Sequence, residues 1–149
     1  MAHFRFASSY DLDAPAGRVF AALSHPDEWD RWWPQIRTII RYDDASGLVV
    51  IRSVLPVTLR VVISREVVDP AGGELRAGLS GDLTGWARFV VRPLPVGAHV
   101  AYAQECTVSK RGLSRVSGAL RPVLVANHAV MMRAGMRGLA SYAHSPGEM

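Results

Sequence analysis

Six strand-like runs follow one another between residues 36 and 109, and nothing between them is long enough to be a crossover. The runs at 36–44, 47–54, 57–69, 73–80, 83–93 and 98–109 are separated by DDASG, LP, DPAGG, SGD and PLPVG, each rich in turn-forming residues. A parallel pair needs a connection of about a dozen residues, so short breaks force neighbouring strands to run antiparallel. The middle of the chain is therefore expected to be an antiparallel meander of six strands.

Alternation sorts the faces of these strands. In ELRAGLS, Leu75, Ala77 and Leu79 share one side; in GWARFVV, Gly85, Ala87, Phe89 and Val91 do. In HVAYAQECTV the larger, more apolar side carries Val100, Tyr102, Gln104, Cys106 and Val108. One face of the sheet is thus apolar and needs a cover.

The flanks supply one more strand and the cover. HFRFASSY, residues 3–10, mixes aromatic and small side chains as a strand does. In DLDAPAGRVFAALS the period changes: Asp13 is expected to cap a helix whose first turn accepts Pro15, with Val19, Phe20 and Leu23 as its apolar side. A second short helix is expected to start at Ser24 or Asp27 and to end at Pro34. Near the C-terminus, Leu120, Leu124, Asn127, His128, Met131, Gly135, Gly138, Leu139 and Tyr142 recur at the spacing of one helical stripe within residues 116–142. Pro122 suits only the beginning of a regular helix or a kink.

Composition limits the rest. With 149 residues, 49% of them hydrophobic, the chain has the size and apolar content of one ordinary domain, 1–149, whose last residues, 144–149 (HSPGEM), are expected to fray. A single cysteine, Cys106, excludes an intrachain disulfide and a CxxC site. The net charge of +4 comes from dispersed arginines with one lysine, Lys110, and no basic block or nucleic-acid motif, so no nucleic-acid partner is expected. The five histidines are scattered without metal-ligand spacing, and no glycine-rich nucleotide loop or GxSxG elbow occurs, so neither metal nor cofactor is expected. MAHFRFASSY lacks the apolar core of about 7–15 residues that a signal peptide requires, and a cytoplasmic location is expected.

Three segments together resemble a known group: DAPAGRVFAALSHPDEWDRWWP at 13–34, GDLTGWARFVVRPLPVGAHVAY at 81–102 and NHAVMMRAGMRGLASYA at 127–143. In this order they resemble the START-like, helix-grip superfamily of birch-pollen-allergen type, and within it the polyketide cyclase/dehydrase and lipid-transport group. The resemblance implies an α+β fold: a curved seven-stranded antiparallel sheet around a long C-terminal helix, with two short helices after strand one. It also implies a hydrophobic cavity between sheet and helix that receives lipids, sterols, polyketides or other apolar molecules. Some members of the group cyclise or dehydrate their ligand, and many only bind or carry it.

The residues agree with a cavity, since Ala, Gly and Met leave space or adapt to an irregular guest, although the same residues also serve close packing. Expected ligand contacts are Asn127, His128, Met131, Gly135, Tyr102, Gln104, Phe89 and Trp33. Asn127 and His128 either orient a carbonyl or hydroxyl of the ligand or close bonds within the core. For the enzymatic alternative, His128 is the candidate proton shuttle, with Arg52 or Arg88 stabilising enolate charge. Alternation nevertheless puts Arg88 with Trp86 on the outer face. Trp29, Trp32 and Trp33 gate the cavity, pin the short helices or, if exposed, allow transient membrane contact. Binding or transport of a small hydrophobic molecule by a monomer or homodimer is the leading expectation; a polyketide cyclase/dehydrase and a non-catalytic interaction module are the alternatives.

Overall fold

The computed structural model describes residues 3–52, 57–110, 112–116 and 118–144. Strand β1 (His3–Leu12) leads into helix α1 (Ala16–Leu23) and a 3₁₀ helix (Pro26–Arg31). Then follow β2 (Ile36–Arg41), β3 (Ser46–Arg52), β4 (Thr58–Asp69), β5 (Glu74–Gly81), β6 (Leu83–Pro93) and β7 (Ala98–Val108). A single turn, α2 (Leu113–Val116), precedes the long helix α3 (Arg121–His144). All seven strands form one sheet in the order β1-β7-β6-β5-β4-β3-β2, every pair antiparallel. This is the helix-grip arrangement that the three segments imply. The LP break at 55–56 and the tail 145–149 lie outside the described residues.

Alternation placed the inner faces correctly. Along β7, Ala98, Val100, Tyr102, Gln104, Cys106 and Val108 are buried while the residues between them are partly exposed. Trp86 and Arg88 are on the outer face, where Arg76 stacks over the Trp86 ring at 4.5 Å and Arg88 Nε lies 2.7 Å from Glu74 Oε2. Register shifts between Ile36 and Thr38 in β2 and between Arg65 and Val67 in β4 break the ladder locally, as an extra residue in one strand does.

Three local expectations are corrected. Asp13 does not cap α1: Pro15 occupies the cap position, no side chain bonds there, and the Pro15 carbonyl accepts from the N–H groups of Arg18 and Val19. Neither Ser24 nor Asp27 caps the second helix, since His25 is its cap and Ser24 closes α1, its hydroxyl donating to the Ala21 carbonyl at 2.8 Å. Leu120 is exposed because it precedes the first residue of α3 and so stands off the helical stripe. Met132, Met136, Leu139 and Ala143 are the residues that α3 buries most deeply. Pro122 falls in the first turn of α3, where a missing N–H costs no helical bond.

The short helices are fastened by their tryptophans. Trp29, Trp32 and Trp33 are all buried, so they present no aromatic surface to a membrane. Trp29 Nε1 donates to the Leu23 carbonyl at 3.1 Å, tying the 3₁₀ helix to the end of α1. Trp33 Nε1 donates to the Met131 carbonyl on α3 at 3.0 Å. That carbonyl is reachable because the residue one turn later is Gly135: a Cβ there would lie 2.5 Å from the indole. Gly138 has a parallel role, since its Cβ would stand 1.8 Å from the Trp32 carbonyl oxygen. These two glycines bring α3 against the tryptophan segment.

Candidate functional site

A cavity of about 320 Å³ separates the inner face of the sheet from α3 and the tryptophan segment. Its floor follows from strand register. Phe6 of β1 pairs with Gln104 of β7, Gln104 with Ala87 of β6, Ala87 with Ala77 of β5, and Ala77 with Arg65 of β4. One cross-strand row therefore carries two adjacent methyl groups, smaller than the side chains of the row beside it. The flanking row runs Tyr102, Phe89, Leu75. Ala77 and Ala87 both line the cavity, and the space above them remains because their side chains do not fill it.

Exposed lining residues gather at His25 and Asp27 and at the β2–β3 turn, residues 43–45. Asp27 and Arg41 approach each other there at 4.0 Å, and Arg41 is held by Asp44 at 2.7 Å. The far end abuts a small apolar cluster of Phe4, Cys106 and Val108, with Leu124 and Leu113 packed against it.

A polar corner interrupts the apolar wall between these ends. The Tyr102 hydroxyl donates a short hydrogen bond to Gln104 Oε1, and His128 Nε2 lies 3.1 Å from the same oxygen. Gln104 Nε2 is 3.2 Å from Cys106 Sγ. The Tyr102 hydroxyl is buried and has no other partner among the described residues, so Gln104 must present its oxygen there to satisfy it. His128 Nε2 must then carry a proton and donate. The His128 ring stacks flat on Phe6, centroids 3.7 Å apart and planes 8° apart. Next to it in sequence, Asn127 has a buried Oδ1 with no hydrogen-bond partner.

Burial keeps this corner neutral. Desolvation disfavours every charged form, pushing the Tyr102 hydroxyl far above its usual range and the Cys106 thiol up, and lowering His128 to about 4. At neutral pH His128 is therefore an uncharged imidazole whose Nε2 proton is held by Gln104.

Of the expected contacts, Asn127, His128, Met131, Tyr102, Gln104, Phe89 and Trp33 all line the cavity. Gly135 does not: the space that its missing side chain leaves is taken by the Trp33 indole. Arg52 is exposed, on the opposite parity to the lining residues Val49 and Ile51, and its backbone N–H donates to the Gln35 carbonyl at 2.8 Å. With Arg88 on the outer face, neither candidate arginine faces the cavity. Two contributors were not singled out from the sequence. Phe6 walls the polar corner, and the alternation of HFRFASSY, which puts Phe4 and Phe6 on one side, was the signal for it. The Ala77–Ala87 step was visible only as two separate inward residues. Among the described residues, no cluster of His, Cys, Asp or Glu is arranged to hold a metal, and no helix is long and apolar enough to cross a membrane.

A seven-stranded sheet gripping a helix across an apolar, partly open cavity defines a helix-grip ligand-binding architecture. The chain belongs to the family described as polyketide cyclase/dehydrase and lipid transport, which matches residues 3–144. A general role in binding a small hydrophobic molecule goes with that membership. No curated protein matches the sequence. Among solved structures, the Zhui aromatase/cyclase from Streptomyces sp. R1128 superimposes with a TM-score of 0.75 at 11% identity, over 95% of this chain and 94% of that one. TTHA0849 from Thermus thermophilus matches with a TM-score of 0.74 at 15% identity, over 94% and 95% of the two chains. A START superfamily protein from Mycobacterium smegmatis matches with a TM-score of 0.66 at 15% identity, over 93% and 99%. At such identities the likeness is one of fold.

Proposed function

We propose that this protein binds and carries a neutral, flat hydrophobic molecule, polyketide-like or aromatic, and does not transform it. The observation that carries this reading is the character of the cavity: an apolar space over two alanines whose inner polar corner is held in uncharged form. Apolar burial supplies most of the affinity, at about 0.8 kcal/mol for each CH₂ group removed from water, and the corner orients the guest. Catalysis of an aldol-type cyclisation needs a group that takes up or gives a proton near pH 7, together with stabilisation of enolate charge. His128 stays neutral and both candidate arginines lie away from the cavity, which weighs against turnover.

Native mass spectrometry of the protein as purified, followed by denaturing extraction, tests the reading. A stoichiometric apolar guest, or one-to-one uptake of a neutral aromatic compound by guest-free protein, is the expected result. Protein that takes up no such compound at saturating concentration refutes binding. Recovery of a chemically altered guest refutes the carrier reading in favour of an enzyme.

A further inference from the structure

The hydrogen bonds of the polar corner restrict what group a guest can place there, an inference that rests on the cavity being the binding site. Gln104 Oε1 accepts from Tyr102, which fixes the amide's orientation, and the amide in turn fixes His128 as the tautomer with its proton on Nε2. Nδ1 of the same ring is then a bare lone pair. It has no partner among the described residues, and it is not one of their fully occluded, unpartnered atoms, which are Trp32 Nε1, Gln35 Oε1 and Asn127 Oδ1. Because His128 lines the cavity, this lone pair is accessible to a guest.

Asn127, the neighbouring residue of α3, also lines the cavity, and its buried Oδ1 has no hydrogen-bond partner. The corner therefore offers a guest one acceptor, His128 Nδ1.

We propose that the corner is a selectivity site for a hydroxyl group on a flat aromatic guest, the hydroxyl donating to His128 Nδ1. A hydroxyl is the simplest neutral group that donates there. A ketone or ether oxygen only accepts, leaving the histidine lone pair unmatched, and a carboxylate would set its charge against that lone pair. Of the arginines on the cavity lining, Arg41 and Arg65 are on β2 and β4, away from the β1, β7 and α3 residues that build the corner, and the Arg76 guanidinium stacks on Trp86 at the outer face. The walls suit an aromatic plane, with Phe6 flat against the imidazole and Phe89 beside Tyr102 at 4.8 Å between centroids. The floor below is the Ala77–Ala87 step.

The test compares three probes of one shape by calorimetric titration of the full chain: 2-naphthol, 2-methoxynaphthalene and 2-naphthoate. The phenol is expected to bind about tenfold more tightly than its methyl ether, the value of one well-made hydrogen bond, and the carboxylate more weakly than either. In His128→Phe, which keeps a ring against Phe6, the phenol and the ether are expected to bind alike. Nitrogen NMR of the histidine rings gives a second reading that does not depend on any variant folding. Nε2 of His128 is expected to carry the proton in guest-free protein, and the Nδ1 resonance is expected to move on adding 2-naphthol. Equal binding of phenol and ether by the wild type, or a proton found on Nδ1, overturns the selectivity site while leaving the binding function standing. Failure of all three probes to bind overturns the binding function itself.

Discussion

Replacing Gly135 with alanine should destabilise this protein although alanine is the better helix former. In a helix interior the exchange is worth about 0.8–1.0 kcal/mol in favour of alanine. Here the added Cβ would stand 2.5 Å from Cε2 and Nε1 of Trp33 and 3.0 Å from its Cδ1. Carbon atoms settle at about 3.5–4.0 Å, so the indole must retreat by about 1 Å. That movement draws Nε1 away from the Met131 carbonyl, which it now meets at 3.0 Å. Overpacking costs about 1–3 kcal/mol and the lost neutral hydrogen bond about 0.5–1.5 kcal/mol, so after the helix gain a net loss of roughly 1–3 kcal/mol remains. For a chain of this length that corresponds to a fall in Tm of about 2–12 °C. Thermal unfolding followed by circular dichroism measures it, and Trp fluorescence reports the indole's displacement. Gly17→Ala in α1 is the control, because nothing lies within 4 Å of its Cβ position, and a rise in Tm is expected there. A Gly135→Ala protein as stable as the wild type, or stabilised like Gly17→Ala, would refute the argument that this glycine exists to seat Trp33.

Three further outcomes follow from the cavity. Because burial holds His128 at about 4 while an unfolded histidine titrates near 6.5, the unfolded chain takes up the proton first as pH falls. Stability should therefore be fully present above about pH 6.5 and decline towards pH 4 by up to about 3 kcal/mol, a component that denaturant melts should find missing in His128→Phe. Gln104→Leu removes the shared acceptor of Tyr102 and His128, and leaving two donors unsatisfied should cost about 2–4 kcal/mol in urea unfolding. Ala87→Val should raise Tm by filling the floor with a better strand former while weakening 2-naphthol binding at least fivefold, as one lost contact of about 1 kcal/mol implies. Unchanged affinity would show that the guest does not lie over that row.

The order of elements was legible because each strand is bounded by its own turn chemistry, as in DPAGG and PLPVG, and because alternation in β7 is unbroken from Ala98 to Val108. What one strand's alternation does not contain is which residue stands beside which across the sheet. Ala77 and Ala87 each read as an ordinary inward residue, and only the register makes them neighbours and hence a floor. Gly135 fails for a related reason. A missing side chain on a helix stripe looks the same whether the space is kept for a guest or for an indole 102 positions earlier in the chain. Asn127 and His128 were legible as polar residues on an apolar stripe, but their roles depend on Gln104 and Tyr102 from another element. The expected cap at Asp13 failed because α1 begins only at Ala16, which puts Pro15 and not Asp13 at the cap position.

The Ala77–Ala87 step separates two demands that usually compete in a small domain. Both residues join the ladder through their backbones, so the sheet's hydrogen bonds are indifferent to what their side chains are. Neither side chain belongs to the polar corner or to the Trp33 tie. The depth of the slot is thus adjustable at two positions, in increments of single methyl groups, without disturbing the parts that hold the fold or orient the guest. A lineage of such chains can change the size of molecule it accommodates by conservative drift at those two sites alone, while the architecture around them is inherited intact.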